Sequence, residues 1–343
     1  MLYVENHSNP CPRGDFACHN GFMYSTFSFA AADGTKLEGW TNNGKGPIVV
    51  ISNGLGVPPE AWPRLLDPDC GYQVYSWNHR GTLGSDRPTD IEAIRVDDHV
   101  SDGLAMMDFV GIERAIFVAW SFGVNVSFEI AKREPDKVAG LLMLAGVPGG
   151  TLDAAFAPLM VPKPLRKPLA NAAVKTAKTF SVPLNLFART LPKNKQMADV
   201  LRYTGFMMPY AKSEDIVPWM KAFLEHDFWW YFHMFPAAGE HAPIDPSFVE
   251  CPITVAAGGF DSLASMRDIV DYAEKIPHAE IHILHGTHFL PLEFPDEIMA
   301  MLDGLLQQTD LVGDQVTEVR ESVVDLTEIN GRWVHQHRTT EAS

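Results

Sequence analysis

Two rhythms of apolar and polar positions share this chain. Short apolar runs bounded by turn residues occur at 47–52 (PIVVIS), 72–77 (YQVYSW), 115–120 (AIFVAW), 138–146 (VAGLLMLAG), 253–258 (ITVAAG) and 279–286 (AEIHILHG). Runs of this length, rich in β-branched and aromatic residues, predict strands. Their unbroken apolarity predicts burial on both sheet faces. An earlier stretch, 24–41, predicts a hairpin turning at Asp33-Gly34. Between the runs the apolar positions spread to helical steps, as at Val96, Val100, Leu104, Met107 and Val110. Helices are predicted over 96–111, over 124–135 with a stop at Pro135, over 265–277 and over 295–308. Strands alternating with helices imply βαβ units, and so an α/β fold with a mainly parallel central sheet flanked by helices.

The alternation breaks once. From 149 to 250 the apolar spacing is helical, prolines are frequent and no strand pattern stands out. We expect an inserted α-helical cap there. The expected organisation is an N-terminal extension (1–23), a core (24–148 and 251–308), the cap (149–250) and an acidic C-terminal extension (309–343). In that extension Val316, Val319 and Val323 suggest one appended helix followed by a loose end.

Composition narrows the function classes. The chain has 343 residues, 46% of them apolar, enough for a full core. Against 27 Lys and Arg stand 43 Asp and Glu, a net charge of −16, which disfavours nucleic-acid binding. No run approaches the roughly 20 apolar residues of a membrane span. The first residues lack a basic segment followed by an apolar one, so no secretory signal is expected. Cys11, Cys18, Cys70 and Cys251 show no CxxC pair and no metal-ligand spacing. Free thiols and a cytoplasmic location are expected, although Cys11 and Cys18 are close enough in sequence to cross-link in an oxidising compartment.

Four short segments carry candidate chemistry. In VAWSFGV (118–124) Ser121 falls where a strand gives way to a helix, the setting of the G-x-S-x-G nucleophile elbow. The positions two before and two after must be small there, and Ala119 and Gly123 are. A helix N-cap serine is the plainer alternative. In GGFDS (258–262) Asp261 follows a strand, either as the acid of a triad or as a helix cap. In HGTHFLPLEFP (285–295) His288 lies in the loop after a strand; its rivals His282 and His285 fall within or at the end of that strand. In SNGLG (52–56) a glycine turn exposes a backbone N–H, best that of Leu55, which with the N–H of Phe122 makes an oxyanion hole. Ser, Asp and His in that order, each after its own strand, is the chain order of one fold.

On these segments, with WNHRGTLGSDRP (77–88), the chain resembles the α/β-hydrolase superfamily, serine-nucleophile type with a helical cap, from about Tyr24 to Gln308. The resemblance implies Ser121 as nucleophile, His288 as general base, Asp261 as acid, and Leu55 and Phe122 as oxyanion donors. It requires no cofactor and no metal. In WNHRG, Arg80 and Gly81 are expected to shape a loop. Three positions depart from the family pattern: Asn78 replaces the Asp of the D-x-R-G-x-G-x-S stretch, Asn53 replaces the usual oxyanion-loop histidine, and Ala119 replaces the first elbow glycine. A serine nucleophile argues against the haloalkane dehalogenases and epoxide hydrolases, which use Asp.

The substrate is expected to be small and hydrophobic. EHDFWWYFHMFP (225–236) holds six aromatic residues and GFMMP (205–209) two methionines. They form either a packed cap core or an apolar pocket wall. Asn53, Trp120, Met207, Trp229 and Trp230 are the candidate substrate contacts. From Ala154 to Ala198 there are eight Lys and Arg and no Asp or Glu. That stretch is a solvated helix face, or it meets an anionic membrane surface or an anionic substrate such as an acyl-CoA. The expected function is hydrolysis of a carboxylic ester, lactone or thioester through an acyl-enzyme. The alternatives are acyl transfer, perhydrolysis, C–C bond hydrolysis or lyase chemistry on the same triad, or a non-catalytic ligand-binding receptor. Oligomeric state is left open.

Overall fold

The computed structural model describes residues 17–18, 24–149, 162–311, 324–329 and 332–337. Its main sheet contains β1 (Ala17–Cys18), β2 (Ser25–Ala30), β3 (Lys36–Thr41), β4 (Ile48–Ser52), β5 (Gln73–Trp77), β6 (Ala115–Trp120), β7 (Val138–Leu144), β8 (Ile253–Gly258) and β9 (Glu280–Leu284). The spatial order is β1-β2-β3-β5-β4-β6-β7-β8-β9. Pairing is antiparallel as far as β3–β5 and parallel from β5 to β9. The predicted hairpin is β2–β3, with Gly34 at φ +83° and the Asp33 carboxylate accepting from the Thr35 N–H.

β4 stands between β5 and β6, so the chain steps to one side of β4 and then crosses to the other. That reversal opens a crevice at the carboxyl ends of β4 and β6, where ligands of open α/β sheets bind. The central strands are buried on both faces. In β6, Phe117 and Ala119 enter the core under α1 (Val96–Val110) and α2 (Phe122–Arg133). Ile116, Val118 and Trp120 enter the opposite core with α10 (Pro295–Leu306).

Among the described residues, five helices lie between β7 and β8: α3 (Lys163–Thr179), α4 (Ser181–Thr190), α5 (Lys195–Tyr203), α6 (Ser213–Phe223) and α7 (Phe228–Gly239). The last part of the sheet carries α8 (Met266–Ala273), and the short α9 (Leu290–Glu293) precedes α10. The strand predicted over 138–146 stops at Leu144, because Ala145 turns to φ +47°. The strand predicted over 279–286 stops at Leu284; the carbonyls of His285 and Gly286 instead accept from the Tyr210 hydroxyl and the Phe260 N–H. The helix expected around Val316–Val323 lies outside the described residues. Beyond it, the expected loose end contains an antiparallel pair, β10 (Val324–Ile329) with β11 (Arg332–His337). In the sequence, Asn330-Gly331 between two alternating runs is a two-residue hairpin signal.

Candidate active site

Ser121 sits between the last residue of β6 and the first of α2. Its backbone is at φ +54°, ψ −115°, a region that residues with a Cβ rarely occupy. Two features hold it there. The Ser121 N–H donates to the Leu144 carbonyl at 2.9 Å. Neighbouring chains also pack too closely for larger residues: a Cβ on Gly123 would lie 1.8 Å from the Ser52 carbonyl oxygen, and one on Gly146 would lie 2.6 Å from that of Ser121. Ala119 is buried and in register with Ser52. Smallness at 119 and 123 is therefore a packing requirement of the turn.

The loops after β8 and β9 bring two further groups to this serine. His288 Nε2 lies 2.8 Å from Ser121 Oγ, and His288 Nδ1 lies 2.7 Å from Asp261 Oδ2. The other Asp261 oxygen accepts from the N–H groups of Leu263 and Ala264, both at 2.8 Å. Capping and orienting were alternatives in the sequence; Ser265 caps α8, and Asp261 instead closes a turn of its own loop while it faces His288. Asp261 and His288 are buried. His282 pairs with Glu280 on the edge strand, and His285 is exposed, so neither occupies this position. A hydroxyl, an imidazole and a carboxylate in this chain can pass a proton from oxygen to nitrogen while the carboxylate stabilises the imidazolium.

Leu55 and Phe122 border the same space. Phe122 is the first residue of α2, so its N–H has no acceptor one turn back. Among the described residues neither the Leu55 nor the Phe122 N–H has a protein acceptor. A Cβ on Gly54 would lie 3.5 Å from the Ser121 Cβ, which shows how closely the loop after β4 approaches the serine.

These groups open onto a cavity of about 410 Å³. Its wall is apolar: Phe206, Trp219, Phe223, Tyr231, Phe232 and Phe235 line it, together with Ala170, Val174 and Ala177 of α3. Trp120 lines it. Four other candidate contacts do not. Asn53 turns into the core, where its Oδ1 accepts from Trp62 Nε1 at 2.6 Å and its Nδ2 donates to Ser76 Oγ. Met207 is fully buried in the core that contains α10. Trp230 is buried with its Nε1 donating to the Arg80 carbonyl at 2.7 Å. Trp229 lies under the Lys178 ammonium and stacks on His233. The aromatic run folds as one helix, so its faces diverge. Tyr231, Phe232 and Phe235 face the cavity, while the two tryptophans anchor α7. Arg80 and Gly81 do shape a loop. The Arg80 guanidinium is held in a two-bond fork by Asp102 and reaches Asp33, and Gly81, at φ +72°, leaves room for the Trp230 ring.

Two positioning groups escaped the sequence reading. The Gly56 N–H, next to Leu55, donates to His79 Nδ1 at 3.3 Å. Burial, with a smaller contribution from nearby His226, holds the pKa of His79 down to about 3. His79 thus stays neutral and able to accept. Glu293 is buried and accepts from the Thr287 N–H and Oγ1 at 2.7 and 2.6 Å and from the Met208 N–H at 2.8 Å. It ties the residue before His288 to the inserted helices. An acid inside the apolar run LPLEF was the available signal.

Residues 47–295 match the family model for the alpha/beta hydrolase fold. The chain belongs to that family. Among curated relatives, a protein of Caulobacter sp. (strain K31), named provisionally as carbamate hydrolase RutD, is 27% identical over 75% of this chain and 90% of its own. Epoxide hydrolase A of Mycobacterium tuberculosis is 31% identical over 29% of this chain and 31% of its own. The match to the RutD of Caulobacter segnis, 30% identical, covers 32% of this chain and 42% of that one, so the alignments to these last two span less than half of each relative. Among solved structures, the enol-lactonase of Burkholderia xenovorans LB400 superposes with a TM-score of 0.59 at 21% identity, covering 82% of this chain and 99% of its own. Est816, described as an N-acyl homoserine lactone degrading enzyme, gives 0.59 at 23% identity, covering 80% and 99%. At these identities the structural likeness concerns the fold. The protein is an enzyme of the alpha/beta hydrolase family.

Proposed function

We propose that the protein is a serine hydrolase that cleaves a carboxylic ester, lactone or thioester with a hydrophobic acyl or alcohol part. The observation that carries this reading is the chain Ser121 Oγ–His288–Asp261, with its two contacts of 2.8 and 2.7 Å, opening onto an apolar cavity. His288 takes the Ser121 proton as Oγ adds to the substrate carbonyl. Asp261 stabilises the imidazolium. The N–H groups of Leu55 and Phe122 receive the oxyanion. His288 returns the proton to the leaving group, then activates water against the acyl-enzyme. Lactone and carbamate cleavage, named among the relatives, are acyl chemistry of this kind, whereas the epoxide hydrolysis also named there is not. Serine at the elbow favours this route over an aspartyl-ester route to epoxide opening. We also place the enzyme in the cytoplasm, a reading that rests on the few, unclustered cysteines of the sequence.

A fluorophosphonate probe tests the reading. Labelling should map to Ser121 and vanish in Ser121→Ala. A folded wild-type protein that resists the probe would remove serine catalysis from consideration. A p-nitrophenyl ester series of increasing chain length should then show kcat/KM rising until the acyl chain fills the cavity.

A further inference from the structure

Helix α4 turns its apolar side outward. Its buried positions are Ser181 and Ala188. Half-buried Asn185 faces α7, where its Oδ1 accepts from the Phe228 N–H and its Nδ2 donates to Asp227. The large side chains go the other way: Val182 is 77% exposed, Leu186 67% and Phe187 58%. Their spacing places them on one face of the helix. Phe180, where α3 meets α4, is 62% exposed, and Leu165 and Leu169 on α3 are exposed as well. A helix that only packed on its neighbours would carry the reverse pattern.

Charge accompanies this apolar face. All 43 acidic residues lie outside the stretch from Ala154 to Ala198, which holds eight basic ones; of these, Arg166 faces Asp268, Lys193 faces Glu225 and Lys178 lies over Trp229. Lys175 and Arg189 are exposed there. We propose that the outer face of α3 and α4 docks on an anionic lipid bilayer. A bilayer offers both complements together: anionic headgroups for the basic side chains and an acyl layer for Val182, Leu186 and Phe187. A second copy of the same face would set base against base. The acidic residues do not prevent docking: Asp227, which lies against α4, is paired with Arg87, and charges more than about 10 Å away are screened at ordinary ionic strength. Meanwhile Ala170, Val174 and Ala177 of α3 wall the cavity that holds Ser121. The helix laid on lipid is thus also a wall of the cavity, and an apolar substrate leaving the bilayer meets it first. That last link rests on the hydrolase reading; the docking does not.

The experiment is co-sedimentation of the full chain with vesicles of phosphatidylcholine alone and of an equal mixture of phosphatidylcholine and phosphatidylglycerol. Binding to the mixed vesicles is expected to be about tenfold stronger and to weaken as salt rises to about 0.5 M. The double variant Leu186→Ser, Phe187→Ser is expected to bind about tenfold less, while hydrolysing a soluble short-chain ester as wild type does. Ser121→Ala should bind like wild type, so a failed hydrolase assignment, read by the probe, is distinguishable from failed docking. Equal binding to both vesicle types would overturn the proposal. So would an undiminished double variant, or a dimer in light scattering that the double variant abolishes while no vesicles bind.

Discussion

Trp120 Nε1 donates a 2.9 Å hydrogen bond to the carbonyl of His288. The residue before the candidate nucleophile therefore holds the loop of the candidate base, across 168 positions of sequence. The indole also packs at the cavity wall, with Trp62 edge-on at 5.9 Å between centroids. Trp120→Phe keeps most of the ring and deletes the donor. We expect kcat to fall about 10- to 100-fold through misplacement of the imidazole, with about 1 kcal/mol lost in stability. Steady-state kinetics beside urea unfolding checks both; an unaltered kcat would leave the hydrogen bond without a positioning role.

Asp261→Asn is expected to separate orientation from folding. The amide can still accept from the Leu263 and Ala264 N–H groups through its oxygen. It then presents an NH₂ to His288 Nδ1, which disfavours the tautomer able to receive the serine proton. The expected loss in kcat is about 10⁴-fold with a near-native melting curve.

Gly123→Ala should be severe although it adds one methyl group. The added carbon would stand 1.8 Å from the Ser52 carbonyl oxygen, which is backbone in a central strand and cannot move aside. We expect destabilisation of about 3 kcal/mol or more, read by chemical denaturation.

Glu293→Gln leaves one oxygen for three donors that now share two. At least one of the Thr287 N–H, Thr287 hydroxyl and Met208 N–H loses its acceptor. Stability should drop by about 1–3 kcal/mol. A variant as stable as wild type would show that these donors find other partners.

Burial lowers the pKa of His79, to about 3, and also lowers those of His99 and His226. The unfolded chain binds these protons near pH 6.5, whereas the folded one does not. Stability is therefore full above pH 6.5 and falls as the pH drops below it. Each histidine contributes up to about 1.4 kcal/mol per pH unit over that window. Denaturant midpoints measured from pH 7.5 to 5 should decline, and His99→Phe should flatten the slope by removing one site. A midpoint constant over that range would contradict the buried neutral state of these rings.

Much of the fold and of the candidate site is legible in the residues themselves. Apolar runs such as PIVVIS and AIFVAW commit to buried strands because little else accommodates unbroken β-branched stretches between turns. Ser121, Asp261 and His288 stand out because each follows such a run, and a small residue on either side of Ser121-flanking aromatics meets the steric demand of a sharp turn. Local pattern falls short where a choice depends on what arrives from far away. EHDFWWYFHMFP announces aromatic mass, but only the packing of α7 on α3 and on the Arg80 loop decided that Tyr231, Phe232 and Phe235 face the cavity while Trp229 and Trp230 anchor the helix. The same holds for Asn53, drawn into the core by Trp62, and for Glu293, whose donors come from its own loop and from Met208. Periodicity reports how often a side chain returns to one face of its own element. Which partner that face meets is set by tertiary contacts, and those decided the cavity wall, the anchors of the loops and the outward apolar face of α4.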